Sequence, residues 1–341
     1  MWPVGYPMSM SKADPVCDKS PNRRKCLAML AAMASAPLAM PLSGCVATGG
    51  PGRVDLVWGR RGLSDGRFLK PRAITIDPDD QLYIVDTTGR IQVFDADGNH
   101  LRTWKVPDTA NGRPTGLAFD VRPDKRADPR LLVADTHYYR MLVFDTEGEL
   151  QHDQQIGGVK GSADGEFAFV TDAVCDAEGQ IYIGEYGASD RIQKFSSDGE
   201  FIASWGGTGE EPGRFLRPQS LVVEGQTLWI ADACNHRIVR YDLSHPTPQL
   251  IGLWGTEGTL PGQLHYPYDL AVDRDGTVIV CEYGNQRLQR FSADGECLGV
   301  WGSPGHEPGQ LYQPWGVVID TQRRVHVLDS NNHRVQRVTA I

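Results

Sequence analysis

Six carboxylates recur along this chain, each closing an apolar stretch and each followed four to six positions later by an arginine. The pairs are Asp86 and Arg90, Asp135 and Arg140, Glu185 and Arg191, Asp232 and Arg237, Glu282 and Arg287, and Asp329 and Arg334. Such a set has two chemical readings: a ring of acids that holds a cation, or six separate ion pairs that each brace a turn. Even repetition favours the second, because a single reactive site breaks symmetry. Residues that differ between copies are the better site candidates. Just after the proline that opens each copy, or its equivalent, stand Arg72, Thr115, Asp172, Gln219, Asp269 with Tyr268 beside it, and Trp315. Asp172 and Asp269 hold the same place in the two copies that also carry Glu-Tyr-Gly. Together with Glu185 and Glu282 they would make a hard, oxygen-rich cluster suited to Ca²⁺ ahead of Zn²⁺. The alternative for these aspartates is local hydrogen bonding at a strand start. Arg72 and Trp315 suit an anionic or planar ligand group, and Trp315 serves equally well as a plug.

The elements that position these residues follow from the spacing. Successive arginines of the set are 50, 51, 46, 50 and 47 residues apart, and the intervals hold short alternating apolar/polar runs joined by Asp-Gly and Asn-Gly turns. That period predicts an all-β, six-bladed β-propeller of four-stranded blades, with little helix. In the fifth copy the strands are expected at Asp269–Asp273, Thr277–Cys281, Arg287–Phe291 and Cys297–Trp301. A loop pattern W-G-x-x-G-x-x-x-G-x-[FL]-x-x-P links the copies: Trp58 to Pro71, Trp205 to Pro218, Trp254 to Pro267 and Trp301 to Pro314 are each thirteen residues apart. The third copy has Val170 in place of the proline, and the second is shortened. With no helix following, these glycines read as linker geometry rather than a phosphate cradle. The last copy stops after its third strand, Arg334–Val338, while Val54–Trp58 is an orphan strand ending in the same Trp-Gly as each fourth strand. The N-terminal strand should therefore complete the sixth blade and remove the free edges.

Residues 1–45 are of different composition. Arg23-Arg24-Lys25 precedes an apolar stretch from Cys26 to Leu42, and Leu42-Ser43-Gly44-Cys45 closes it, as in an export signal. The closing four residues resemble the lipobox of bacterial lipoproteins, which implies cleavage before Cys45 and lipidation of it; the alternative is cleavage after Ala34-Ser35-Ala36. The arginine pair also resembles a twin-arginine signal. The expected organisation is an export signal over 1–45, a short linker over 46–53 and a propeller over 54–341. The protein would lie in the cell envelope, lipid-anchored or periplasmic, as a monomer that meets the membrane only through its anchor. Cys175, Cys234, Cys281 and Cys297 remain in the domain, either as two disulfides or as buried thiols. The formal net charge of -9, with no basic run after the leader, excludes nucleic acid as a partner.

Two segments then resemble a known repeat. Asp232-Ala233-Cys234-Asn235-His236-Arg237 and Asp329-Ser330-Asn331-Asn332-His333-Arg334, each followed by an apolar strand, look like the NHL repeat, which forms six-bladed propellers. The resemblance covers about residues 54 to 341. It implies that the post-proline residues and the repeated acids surround one mouth of the central channel, and that His236 and His333 belong to the repeat signature. The amidating lyases of similar fold commonly carry zinc-binding histidines just after the repeat proline. Here those positions hold Arg72, Thr115, Thr171, Gln219, Tyr268 and Trp315, none of them histidine.

The sequence therefore supports first a ligand- or protein-binding scaffold, its top face holding a small molecule, glycan or partner protein. An alternative is a metal-dependent hydrolase or lyase acting through the acidic cluster. An RNA-binding propeller is disfavoured by charge.

Overall fold

A computed structural model of the chain describes residues 52–120, 122, 129–339 and 341. The expected signal, lipobox and Cys45 lie outside these residues. The described residues belong to one compact unit.

Six four-stranded antiparallel sheets make up the fold, and the described residues hold no α-helix, only 3₁₀ turns. The inner strands, which line the central channel, are Pro71–Ile76, Gly116–Phe119, Phe169–Cys175, Pro218–Glu224, Pro267–Val272 and Gly316–Ile319. Closure follows the sequence expectation: Arg53–Trp58 is the outer strand of blade six and pairs with Arg334–Thr339 from Arg53↔Thr339 to Trp58↔Val335. In blade five the third and fourth strands fall where expected, while the first two are Pro267–Val272 and Val278–Glu282. The inner strand starts earlier because Pro267 already pairs with Glu282, across a bulge that leaves Tyr268 outside the ladder. Blade two is the irregular one: its outer strand is only Ile156–Gly157, since His152–Gln154 turns in a 3₁₀ helix instead of pairing.

Strand alternation gives each blade two apolar faces, and the molecule buries them between blades rather than in one centre. Six apolar clusters result, one at each junction. Tyr83, Val85, Phe119 and Val133 meet between blades one and two, and Trp58, Phe68, Phe94 and Val335 between six and one. The [FL] position of the loop pattern is the anchor of five junctions. Phe68, Phe167, Phe215, Leu264 and Leu311 are fully buried, and each pairs in parallel with the residue seven positions upstream. The Trp-Gly before it has a steric reason: Gly255 lies at φ +113, and a Cβ there would stand 2.9 Å from Leu264. Cys175, Cys234, Cys281 and Cys297 form no disulfide.

Candidate functional site

The site begins with the repeated acids, which turn out to hold loops rather than line the channel. All six are fully buried, and each pairs with its own arginine at 2.5–2.9 Å. In blade five, Arg287 bonds Glu282 at 2.6 Å and also donates to the carbonyls of Thr259, Leu260 and Gln263 in the preceding inter-blade loop. Glu282 in turn accepts from the N–H of His265 and the side chains of Asn285 and Gln289. Blades one, three, four and six repeat this clasp. Blade two, with its short loop, does not: Arg140 reaches Asp135 and the half-exposed Asp108. Burial pushes Asp135 and Asp232 up to about 6, against the opposing pull of their arginines.

The signature histidines act at the next step outward. His236 and His333 occupy the left-handed region (φ 54 and 58), and their Nδ1 atoms accept the N–H of Tyr266 and of Lys70 in the following loop. Gln286 does the same for Gln313, and Asp190 for Arg217. The four residues so held, Lys70, Arg217, Tyr266 and Gln313, are themselves left-handed (φ 46 to 62) and directly precede the repeat prolines. Backbone strain at those positions is thus offset by a fixed hydrogen bond from the previous blade. The chain then passes through proline, which fixes φ, into a bulged inner strand. That sequence of constraints aims the post-proline residues.

One cavity receives them. Arg72, Thr115, Asp172, Gln219, Tyr268, Asp269 and Trp315, one or more from each blade, line a small cavity of about 20 Å³ at one end of the channel, together with Ser220. The structure resolves two rings where the sequence suggested one. The residue after the proline forms the outer ring: Arg72, Thr115, Gln219, Tyr268 and Trp315, while Thr171 turns away to the Pro218 carbonyl. The next residue forms the inner ring: Ala73, Gly116, Asp172, Ser220, Asp269 and Gly316, which pair in register with the residue before each repeated acid.

The outer ring is aromatic on one side. Arg72 stacks over Trp315 at 5.3 Å, Trp315 meets Tyr268 and Tyr283 edge-on, and those two tyrosines stack at 4.4 Å. Arg217 lies against Tyr186 and Tyr268 and donates to Gln219 Oε1 at 2.7 Å. The indole Nε1–H of Trp315 is buried with no acceptor.

The inner ring is carboxylic. Asp172 accepts from the N–H of Ala173 and, across the junction, of Leu221; Asp269 accepts from Ser220 Oγ at 2.6 Å and from the N–H groups of Leu270 and Val317. Burial pushes Asp269 up to about 7 and Asp172 well above the carboxylate range, with the charge of Asp269 adding to the rise of Asp172. Glycines make room for them: a Cβ on Gly116 would stand 2.5 Å from Asp172 Oδ1.

Contrary to the expectation from the sequence, the six acids do not surround the channel mouth; they sit at the ends of the second strands, facing the loops. Nor do the four carboxylates expected to hold a cation come together: Asp172 and Asp269 share the channel, while Glu185 and Glu282 are committed to Arg191 and Arg287. Among the described residues, no group of three or more His, Cys, Asp or Glu side chains is placed to hold a metal ion. Sequence reasoning missed Ser220, Arg217, Tyr186 and Tyr283 as neighbours of the site. Arg217 had a usable signal, since the position before the proline also varies from blade to blade.

Fold and site together define a six-bladed propeller with a lined channel mouth. Residues 311–338 match the NHL repeat model, and residues 221–312 match the model of the SMP-30/Gluconolactonase/LRE-like region. The NHL repeat-containing protein 3 of Mus musculus is 31% identical over 205 residues, covering 54% of each chain; its Homo sapiens counterpart is 31% identical over 117 residues, 31% of this chain and 33% of its own. This chain thus spans about half the length, or less, of the curated relatives it matches. Among solved structures, a streptogramin B lyase superposes with TM-score 0.54 at 13% identity, over 83% of this chain and 96% of its own. An auxiliary nutrient binding protein from Bacteroides thetaiotaomicron gives 0.60 at 13%, over 80% and 69%. At such identities the likeness is one of fold alone. With its six blades and an NHL-repeat match over residues 311–338, the chain is a six-bladed β-propeller that carries NHL-type sequence.

Proposed function

We propose that this propeller is a binding scaffold whose ligand enters the channel mouth. One observation carries the reading: the residues that break six-fold symmetry, from all six blades, converge on a single cavity, whereas the residues that repeat serve the clasps. Aromatic faces beside one arginine, hydroxyls and carboxyls bring polar groups together at one point, where they can orient a ligand. The aromatic–arginine side would take a planar or anionic group, and the inner ring would take hydrogen-bonding groups. In the same reading the protein is exported and anchored through Cys45, as the Leu-Ser-Gly-Cys ending suggests; no helix among the described residues is long and apolar enough to cross a membrane. The test is a small-molecule and glycan screen by thermal shift on the wild type and on Arg72→Ala/Trp315→Ala. Compounds that stabilise only the wild type support the mouth as the site. Compounds that stabilise both equally place binding elsewhere and refute it.

A second reading, a hydrolase or lyase, is favoured by Asp269, a carboxyl with its ionisation near neutrality beside Asp172. It predicts either about one equivalent of bound metal that Asp172→Asn/Asp269→Asn loses, or turnover that the double variant abolishes. Neither outcome in the wild type would remove it.

A further inference from the structure

Beyond the carboxylic ring the channel changes character. A second, open-ended cavity of about 170 Å³ is lined by Ile74, Leu117, Phe119, Val174, Leu221 and Leu270, among others. It shares Ile74, Leu117, Asp172, Ser220 and Asp269 with the mouth cavity, so these residues are the partition between the two. The lining of this second cavity contains two carboxyls and no Lys, Arg or His. Nor does either aspartate make an ion pair with any described residue; their partners are four backbone N–H groups and the Ser220 hydroxyl. The repeated acids, which are fully buried, are paired with arginine in every blade. Asp172 and Asp269 are not, and they stand at the head of an apolar tube.

Two like-charged acids in a poorly solvated place cannot both ionise without a cation, and hydrogen bonds from N–H groups favour the ionised form that burial opposes. A bound cation would resolve that conflict. A bare metal ion would want a larger oxygen set than this partition offers, and it would leave the apolar walls unused. An ammonium group carried on a hydrocarbon uses both features.

We propose that the channel's occupant is an amphiphilic primary amine, its ammonium held between Asp172 and Asp269 beside Ser220 and its hydrocarbon body lying along Leu117, Phe119, Val174 and Leu221. The inference rests on the channel being a ligand site, and it names the class of ligand. The other titratable groups near the partition are Arg72 and Tyr268 in the mouth, Cys175 in the apolar cavity and Cys281, which pairs in register with Asp269. An arginine does not deprotonate in proteins, and burial pushes the Tyr268 hydroxyl and the Cys281 thiol up, so the aspartates govern the pH response near neutrality. Amine binding displaces protons from them, and affinity should tighten as pH rises from about 5.5 toward about 8.

Calorimetry with hexylamine, hexanol, hexanoate and calcium chloride on the wild type and on Asp172→Asn/Asp269→Asn tests this. The expected result is hexylamine binding at least about tenfold tighter than hexanol, with proton release at about pH 6. The preference should vanish in the double variant, and octylamine should bind about tenfold or more tighter than hexylamine, at about fourfold per buried methylene. Hexanol or hexanoate binding as well as the amine, or a preference that survives the double variant, overturns the amine and leaves the channel site standing. Calcium binding that displaces the amine at equal occupancy overturns it in favour of a metal. If none of the four binds, the amine is refuted, and the mouth screen with Arg72→Ala/Trp315→Ala decides separately whether the channel is a ligand site at all. Melting of the double variant within a few degrees of the wild type certifies that it is folded.

Discussion

Arg287→Ala against Arg140→Ala measures what the repeated clasp contributes. Arg287 makes four hydrogen bonds, one to Glu282 and three to loop carbonyls, and its loss strands a fully buried carboxylate. Removing one partner of a buried pair costs about 3–5 kcal/mol. Arg140 is the internal control. Its loop is short, its second partner Asp108 is half exposed, and burial already pushes Asp135 up to about 6, so the stranded acid can take up a proton close to neutrality. That loss should cost about 1–2 kcal/mol. At roughly 2–4 °C per kcal/mol for a domain of this size, Arg287→Ala should lower the melting temperature by about 10 °C and Arg140→Ala by about 4 °C at about pH 7.5. Differential scanning calorimetry or a fluorescence melt reads both. Equal shifts, or a shift below about 2 °C for Arg287→Ala, would refute the claim that the acids and arginines hold the inter-blade loops.

Removing Arg53–Trp58 should open the ring, since it strips an edge from blade six and takes Trp58 from its contacts with Phe68 and Phe94 at 5.9 and 4.6 Å; a variant that still melts like the full chain would show closure to be dispensable. His236 and His333 have their ionisation lowered, by burial above all. The unfolded chain therefore binds more protons, and stability is full above pH 6.5 and falls as pH drops through the lowered values. The equivalent Gln286 accepts the same kind of bond without titrating, so His236→Gln/His333→Gln should flatten the melting profile between about pH 7 and about pH 5; an unchanged slope would sink the assignment. For Asp269 the direction is opposite: with its ionisation raised to about 7, its contribution is present below about pH 4 and lost as pH rises to about 7, so Asp269→Asn should gain on the wild type in melts from about pH 5 to about pH 8. Gly116→Ala should shift Asp172, whose Oδ1 would stand 2.5 Å from the new Cβ, and weaken any channel ligand, while Gly276→Ala, in a turn at φ +79 outside the channel, should cost backbone strain but leave binding unchanged.

How much of this was legible in the sequence depends on range. Blade number, blade order, the third and fourth strands of blade five and the closure by Arg53–Trp58 could all be read from the chain, because a repeat states its own period and its own missing strand. The pairing of each acid with its arginine was also readable, since both sit in one turn. What the turn faces was not. That Glu185 and Glu282 point to inter-blade loops while Asp172 and Asp269 enter the channel depends on a bulge of one residue in the inner strands of blades three and five, and a shift of one reverses which side a residue faces. Local chemistry along the chain fixed the blades, whose hydrogen bonds join neighbours in sequence. The partition of the channel, its carboxyls without arginine partners and its apolar floor arise only when strands from successive blades are brought together, and no spacing along the chain records that meeting.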